Sequence, residues 1–256
     1  MKNYFKYMII IFLTVFSFYY TDKVIELSNH NNIILASIDE YASLNDTKCI
    51  EGSINEDGII LGLSGLVVDK NKSYSNMKGI GFKSELLEYK ENKCILNKID
   101  NLDKYIISGN KVNKNISLVI DVENKKYYKQ MIDVLESYNL KGNLLTNKYI
   151  EDYNYNVLFK GNEEELKKFK KNYEEFYCVK TSDYEIIDIC KSEKINSIKV
   201  VNYIEDNLLI NTKKILSNGT IIFIKETNSN LKELSSTIKY IQSRGFKIVD
   251  INELLT

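Results

Sequence analysis

Seven polar side chains stand at or just beyond the ends of short apolar runs in the second half of the sequence: Asp121, Glu123, Asn162, Tyr177, Asn202, Lys225 and Glu226. Three roles suit them. Asp121 or Glu123 with Glu226 would make a carboxylate pair for metal-free acid–base work of the kind used in glycoside hydrolysis, which needs the two groups roughly 5–10 Å apart. Lys225 beside Glu226 would hold that carboxylate ionised, which works against a general-acid role. The same rim, with Glu123, Asn162, Tyr177, Asn202 and Lys225 as ligand contacts, suits a glycan held by hydrogen bonds to hydroxyls and by tyrosine stacking. The blandest reading is an ion pair between Asp121 and Lys225 that ties the rim together. Imidazole chemistry has little to work with, because His30 is the only histidine in 256 residues and lies far away in the chain. Gly62-Leu-Ser64-Gly65 falls short of a nucleophile elbow, and no phosphate loop, dinucleotide fingerprint or EF-hand pattern occurs.

The elements that must position these residues alternate from Ile116 onward. Strand candidates are 116–121, 142–146, 156–159, 176–179, 197–201, 220–224 and 247–249. Between them lie amphipathic stretches. Tyr128, Met131, Ile132, Leu135 and Tyr138 share one helical face, and Leu231, Leu234, Ile238 and Ile241 share another, which Gly245 closes. Asn162 followed by Glu165 forms a capping box ahead of Leu166 and Phe169. Seven strands alternating with helices predict a parallel α/β sheet, open or closed into a barrel, with working residues past the C-terminal strand ends.

Residues 22–112 differ. Short apolar pieces at 33–38, 59–61, 66–68, 86–89 and 105–107 are separated by Asn, Asp and Gly, which predicts a small strand-rich domain. One short helix is expected over Lys70–Met77, with Asp69 as its N-cap and Gly79 as its stop. The first 21 residues form a third segment. Lys2 and Lys6 precede an uncharged apolar run from Tyr7 to Tyr20, closed by Asp22 and Lys23. That run makes a short membrane anchor with the rest of the chain exported, because the positive flank stays inside. A cleaved signal and a secreted product is the alternative, although the small-residue cleavage pattern is missing. Lys+Arg and Asp+Glu balance at 35 each, so no overall field points to nucleic acid. In an exported chain, Cys49, Cys94, Cys178 and Cys190 allow three disulfide connectivities; pairing within each half is expected, with free buried thiols the alternative.

Two segments resemble the polysaccharide deacetylase (NodB-homology) family. Ser117-Leu-Val-Ile-Asp121-Val-Glu-Asn with the following helix and Gly142-Asn-Leu-Leu145 looks like its first strand, helix and second strand. Asn218-Gly-Thr-Ile-Ile-Phe-Ile-Lys-Glu226 with the helix to Gly245 looks like its last third. The resemblance implies a (β/α)7-type barrel over residues 113–256. It also implies a metal site that this sequence lacks. Where the family carries two adjacent aspartates, a base and a metal ligand, stand Asp121 and Val122. Phe159-Lys-Gly-Asn-Glu163 holds neither of the two histidine ligands, and Lys225-Glu226 replaces a histidine and an aspartate. No metal or other cofactor is therefore expected. The implied protein is an exported, membrane-anchored, inactive deacetylase-like protein with a glycan-binding or structural role. Its partner would be a cell-wall or other extracellular polysaccharide. The alternatives are a metal-free carbohydrate hydrolase using Asp121 and Glu226, and a protein-interaction module.

Overall fold

A computed structural model describes residues 2–47, 49–92, 100–124, 126–150, 155–182 and 185–255. Its chain divides into two compact units, Met1–Cys49 with Ser64–Lys93, and Ile50–Leu63 with Cys94–Thr256. The first begins with one helix, α1 (Lys2–Asn45), of 44 residues, about 66 Å long at 1.5 Å per residue. Neither glycine nor proline interrupts it, so it continues past Asp22 and Lys23 instead of ending there. Its N-terminal part is long and apolar enough to cross a membrane, and the most apolar 18-residue window is wholly unburied.

The later turns of α1 are packed. Ile34, Ile38 and Ala42 are buried with Val68, Met77 and Leu87. Burial every fourth residue is helical, so the apolar piece at 33–38, read above as strand-like, is corrected to helix. The strands β1 (Ser53–Asn55) and β2 (Gly58–Ile60) belong to the second unit. In the first, β3 (Gly65–Val68) precedes α2 (Lys70–Met77), and β4 (Tyr89–Asn92) pairs antiparallel with β3. The α2 boundaries are those expected: Asp69 accepts from the Lys72 amide at 3.2 Å, and Gly79 follows with φ +79°.

The second unit carries β5 (Tyr105–Ser108), β6 (Asn115–Asp121), α3 (Tyr128–Ser137), β7 (Asn143–Thr146), β8 (Asn156–Phe159), α4 (Glu163–Phe169) and β9 (Tyr177–Lys180). It continues through α5 (Ile187–Ser192), β10 (Ser197–Lys199), β11 (Asn202–Ile204), α6 (Leu208–Ile215), β12 (Ile221–Lys225), α7 (Asn228–Ser243), β13 (Lys247–Ile248) and α8 (Ile251–Leu254). All seven expected strands are present, and β1, β2, β5 and β11 join them in one sheet. Among the described residues the sheet runs β1-β2-β5-β10-β9-β8-β7-β6-β12-β11, with β13 beside β6. Among the described residues of this sheet, only the β1–β2 pair is antiparallel.

Connectivity forces this sheet to curl. β10 and β11 are six places apart in strand order, yet residues 200–201 alone join them. Three Cα steps span at most about 11 Å. The path from β6 through β12 therefore bends back on itself as a seven-strand half-barrel, in line with the (β/α)7-type expectation.

Alternation along each strand sorts the core. Val119, Leu145, Leu158, Val179, Ile198 and Phe223 fill the interior. Leu118, Ile120, Leu144, Ile222 and Ile224 pack outward on Met131, Leu135, Leu234 and Ile238. A disulfide joins Cys178 of β9 to Cys190 of α5, as pairing within the second half requires. The other expected pair involves Cys94, which lies outside the described residues.

Candidate functional site

Asp121 ends β6 on the same face as Val119, so its carboxylate enters the interior at the C-terminal mouth of the sheet. It is 5 % exposed. Lys160, the residue after β8, ion-pairs with Oδ1, and the Tyr203 hydroxyl donates to Oδ2 at 2.9 Å. The side-chain pairing expected of Asp121 is thus corrected: its cation is Lys160. Lys225 lies beside Asp121 in strand register, but its ammonium approaches Glu123 at 3.8 Å.

These groups border a cavity of about 580 Å³, lined also by Asn147, Lys180, Thr181, Lys199 and Glu205. Asn230, buried on α7, holds the β11 and β12 ends together by donating to the Glu205 carbonyl at 2.8 Å and the Lys225 carbonyl at 3.0 Å. Of the residues singled out in the sequence, Asp121, Glu123 and Lys225 line the cavity. Asn162, Tyr177, Asn202 and Glu226 are not part of its lining. Asn162 caps α4 in the expected box with Glu165. Tyr177 opens β9, at the other end of that strand from Lys180. Asn202 opens β11 and donates weakly to the Ile221 carbonyl at 3.4 Å.

Glu226 faces the helix layer and is 5 % exposed. One oxygen accepts from the Glu123 and Asn124 amides at 3.1 and 3.2 Å. The other accepts from the amides of Tyr127 and, at 3.0 Å, Tyr128. The carboxylate gathers the donors of the loop that leads into α3, where the first amides of a helix otherwise lack partners. Its chemistry here is that of a staple.

Tyr203 and Lys160 were not found from sequence. Lys160 is legible in the sequence as the first residue past a strand. Tyr203 sits on β11, a three-residue strand with too little pattern to detect. Burial, reinforced by the Asp121 carboxylate and the hydrogen bond to it, holds the Tyr203 phenol well above its ordinary range. A phenol shifted upward favours folding in its protonated form. Its contribution is complete below the unfolded value near pH 10 and is lost as pH rises through the folded one. A difference titration against Tyr203→Phe should show this tyrosine still un-ionised where exposed tyrosines have titrated. Ionisation near pH 10 would refute the hydrogen bond from Tyr203 to Asp121.

This curled sheet with its strand-end cleft has solved counterparts. The crystal structure of wild-type BA3943 from Bacillus anthracis, a pseudoenzyme of the CE4 carbohydrate esterase family, matches with a TM-score of 0.64 and 20% identity. The match covers 87% of this chain and 95% of that one. The fold is that of the CE4 carbohydrate esterases. A BA3943 mutant matches at the same TM-score with 20% identity, over 87% and 97% of the two chains. A further mutant, one with restored enzymatic activity, gives 0.64 and 19% over 87% and 98%. No protein-family model and no curated protein matches the sequence.

The metal implied by the deacetylase resemblance does not fit the residues present on this CE4 fold. Val122 is buried in the helix-side core and offers no donor atom. Both Asp121 oxygens are engaged, one of them by an ammonium that would repel a divalent ion. Among the described residues, no three His, Cys, Asp or Glu side chains are grouped so as to hold a metal.

Proposed function

We propose that this is a membrane-anchored, extracytoplasmic protein of the deacetylase fold that binds a cell-envelope glycan in its strand-end cleft without turning it over. The observation that carries the reading is the pairing of Asp121 with Lys160. A general base must be free to take a proton from the attacking water. Here the one carboxylate at the interior end of β6 is bonded on both oxygens to donors of the protein itself. A cleft of about 580 Å³ with carboxylates, ammonium groups, an amide and a phenol is retained around it, and those groups suit sugar hydroxyls. The hydrolase alternative is less well supported, because Glu226 spends both oxygens on backbone amides.

Anchoring draws support from the continuity of α1. The apolar turns run without a break into turns packed against β3 and α2, so removal of a signal would have to cut inside a helix. The test uses the full chain in detergent. It should release no acetate from chitin oligomers or peptidoglycan, with or without added zinc, and should sediment with purified cell wall. Zinc-dependent acetate release would overturn the reading. Cleavage of a chromogenic oligosaccharide would favour the hydrolase, and absence from the cell-wall pellet the protein-interaction module.

A further inference from the structure

Four parallel strands end in the same way. Lys160 follows β8, and Lys180, Lys199 and Lys225 are the last residues of β9, β10 and β12. All four line the cavity. Three carboxylates line it with them, Asp121, Glu123 and Glu205, so the lining carries four positive charges against three negative ones. The charges are also unevenly placed. Lys160 is committed to Asp121, and Lys225 lies near Glu123. Lys180 and Lys199 are strand neighbours in direct register.

Like charges directly across a strand pair are unfavourable, and each of these two ammonium groups leans on a carboxylate outside the cleft. Lys180 meets Glu185 at 2.6 Å and Lys199 meets Asp57 at 3.5 Å. Those carboxylates are 63% and 78% exposed, and exposed pairs of this kind contribute little. They can yield to a better-placed anion at small cost. Glu123, Glu205 and Tyr203, which line the same cavity, present acceptors and a phenol that suit hydroxyls and would repel a second anion.

Resting on the glycan-binding reading of the same cleft, we propose that its ligand is an acidic saccharide. Its carboxylate or phosphate lies against Lys180 and Lys199, and its neutral hydroxyls face Glu205 and Tyr203. The two unlike sets of groups fix the orientation of the sugar as well as its charge.

Calorimetry on the full chain in a non-ionic detergent tests this with four probes: chitotetraose, tetragalacturonate, glucose 1-phosphate and inorganic phosphate. At low salt an acidic sugar should bind at least tenfold more tightly than the neutral one, and about 0.5 M NaCl should erase most of that advantage. The arm that binds tells uronate from phosphate sugar. The double variant Lys180→Gln/Lys199→Gln should lose the preference for the acidic sugar over the neutral one, and Lys180→Arg/Lys199→Arg should retain it. Circular dichroism confirms that both variants fold. Equal affinity for neutral and acidic sugars would overturn the proposal while leaving the glycan reading in place. Binding of inorganic phosphate alone, with no sugar bound, would overturn the glycan reading and the acidic saccharide with it. A preference for acidic sugars that survives in the glutamine variant would sink the assignment to these two lysines.

Discussion

Replacing Glu226 by alanine is expected to destabilise the second unit by about 3–4 kcal/mol, the largest loss from any single polar change in this cleft region. The carboxylate accepts four backbone amides at the entrance to α3, and it is nearly inaccessible to water. Hydrogen bonds to an ionised acceptor contribute about 1.5–3 kcal/mol each when made, and a buried donor left without one costs about 1–3 kcal/mol. Water entering the vacated space would satisfy some of the four, which holds the total below their sum. Glu226→Gln separates this role from a catalytic one. The amide would turn an NH2 towards two N–H donors, so it should recover less than half of the loss. Denaturant unfolding followed by circular dichroism measures both variants. Wild-type stability in Glu226→Ala, together with loss of an oligosaccharide-cleaving activity, would return this residue to the acid–base role that the sequence suggests.

Glu226 also shows where the sequence stopped being legible. Reading along the chain, Lys225 and Glu226 are neighbours, and proximity suggests that the lysine keeps the carboxylate ionised. On a strand, successive side chains take opposite faces. Lys225 therefore follows Phe223 into the interior, and Glu226 follows Ile224 to the helix layer. The alternation itself was plain from Ile116 onward, because apolar runs of about five residues and helical stripes in the 3.6-residue period leave unambiguous patterns. What no local pattern specifies is which strand ends converge. Lys160 and Asp121 are 39 positions apart, Tyr203 and Asp121 are 82 apart, and only the strand order of the curled sheet brings them together. The helix over residues 22–45 escaped for the opposite reason. Asparagines and charged residues break its apolar stripe, and its helical state depends on packing Ile34, Ile38 and Ala42 against β3 and α2.

The Lys160–Asp121 pair gives the second large effect. Removing the ammonium with Lys160→Met should cost about 3 kcal/mol, because it leaves a carboxylate whose side chain is 7% exposed without its cation. Buried pairs broken from one side typically lose about 3–5 kcal/mol. The lower end applies here, since Lys160 is 19% exposed and Tyr203 continues to donate to Asp121. Removing both charges should behave differently. Lys160→Met with Asp121→Leu leaves no unpaired charge, and replacing a buried ion pair by apolar side chains is often neutral or better. The double variant is therefore expected to unfold within about 1 kcal/mol of wild type, giving a coupling energy of about 2 kcal/mol or more across the cycle. A base working on substrate would need Asp121 accessible and Lys160 dispensable to the fold, and the cycle would then close with additive, small losses. A large coupling means that the carboxylate at the interior end of β6 is an internal tie, held by charge where it borders the cleft.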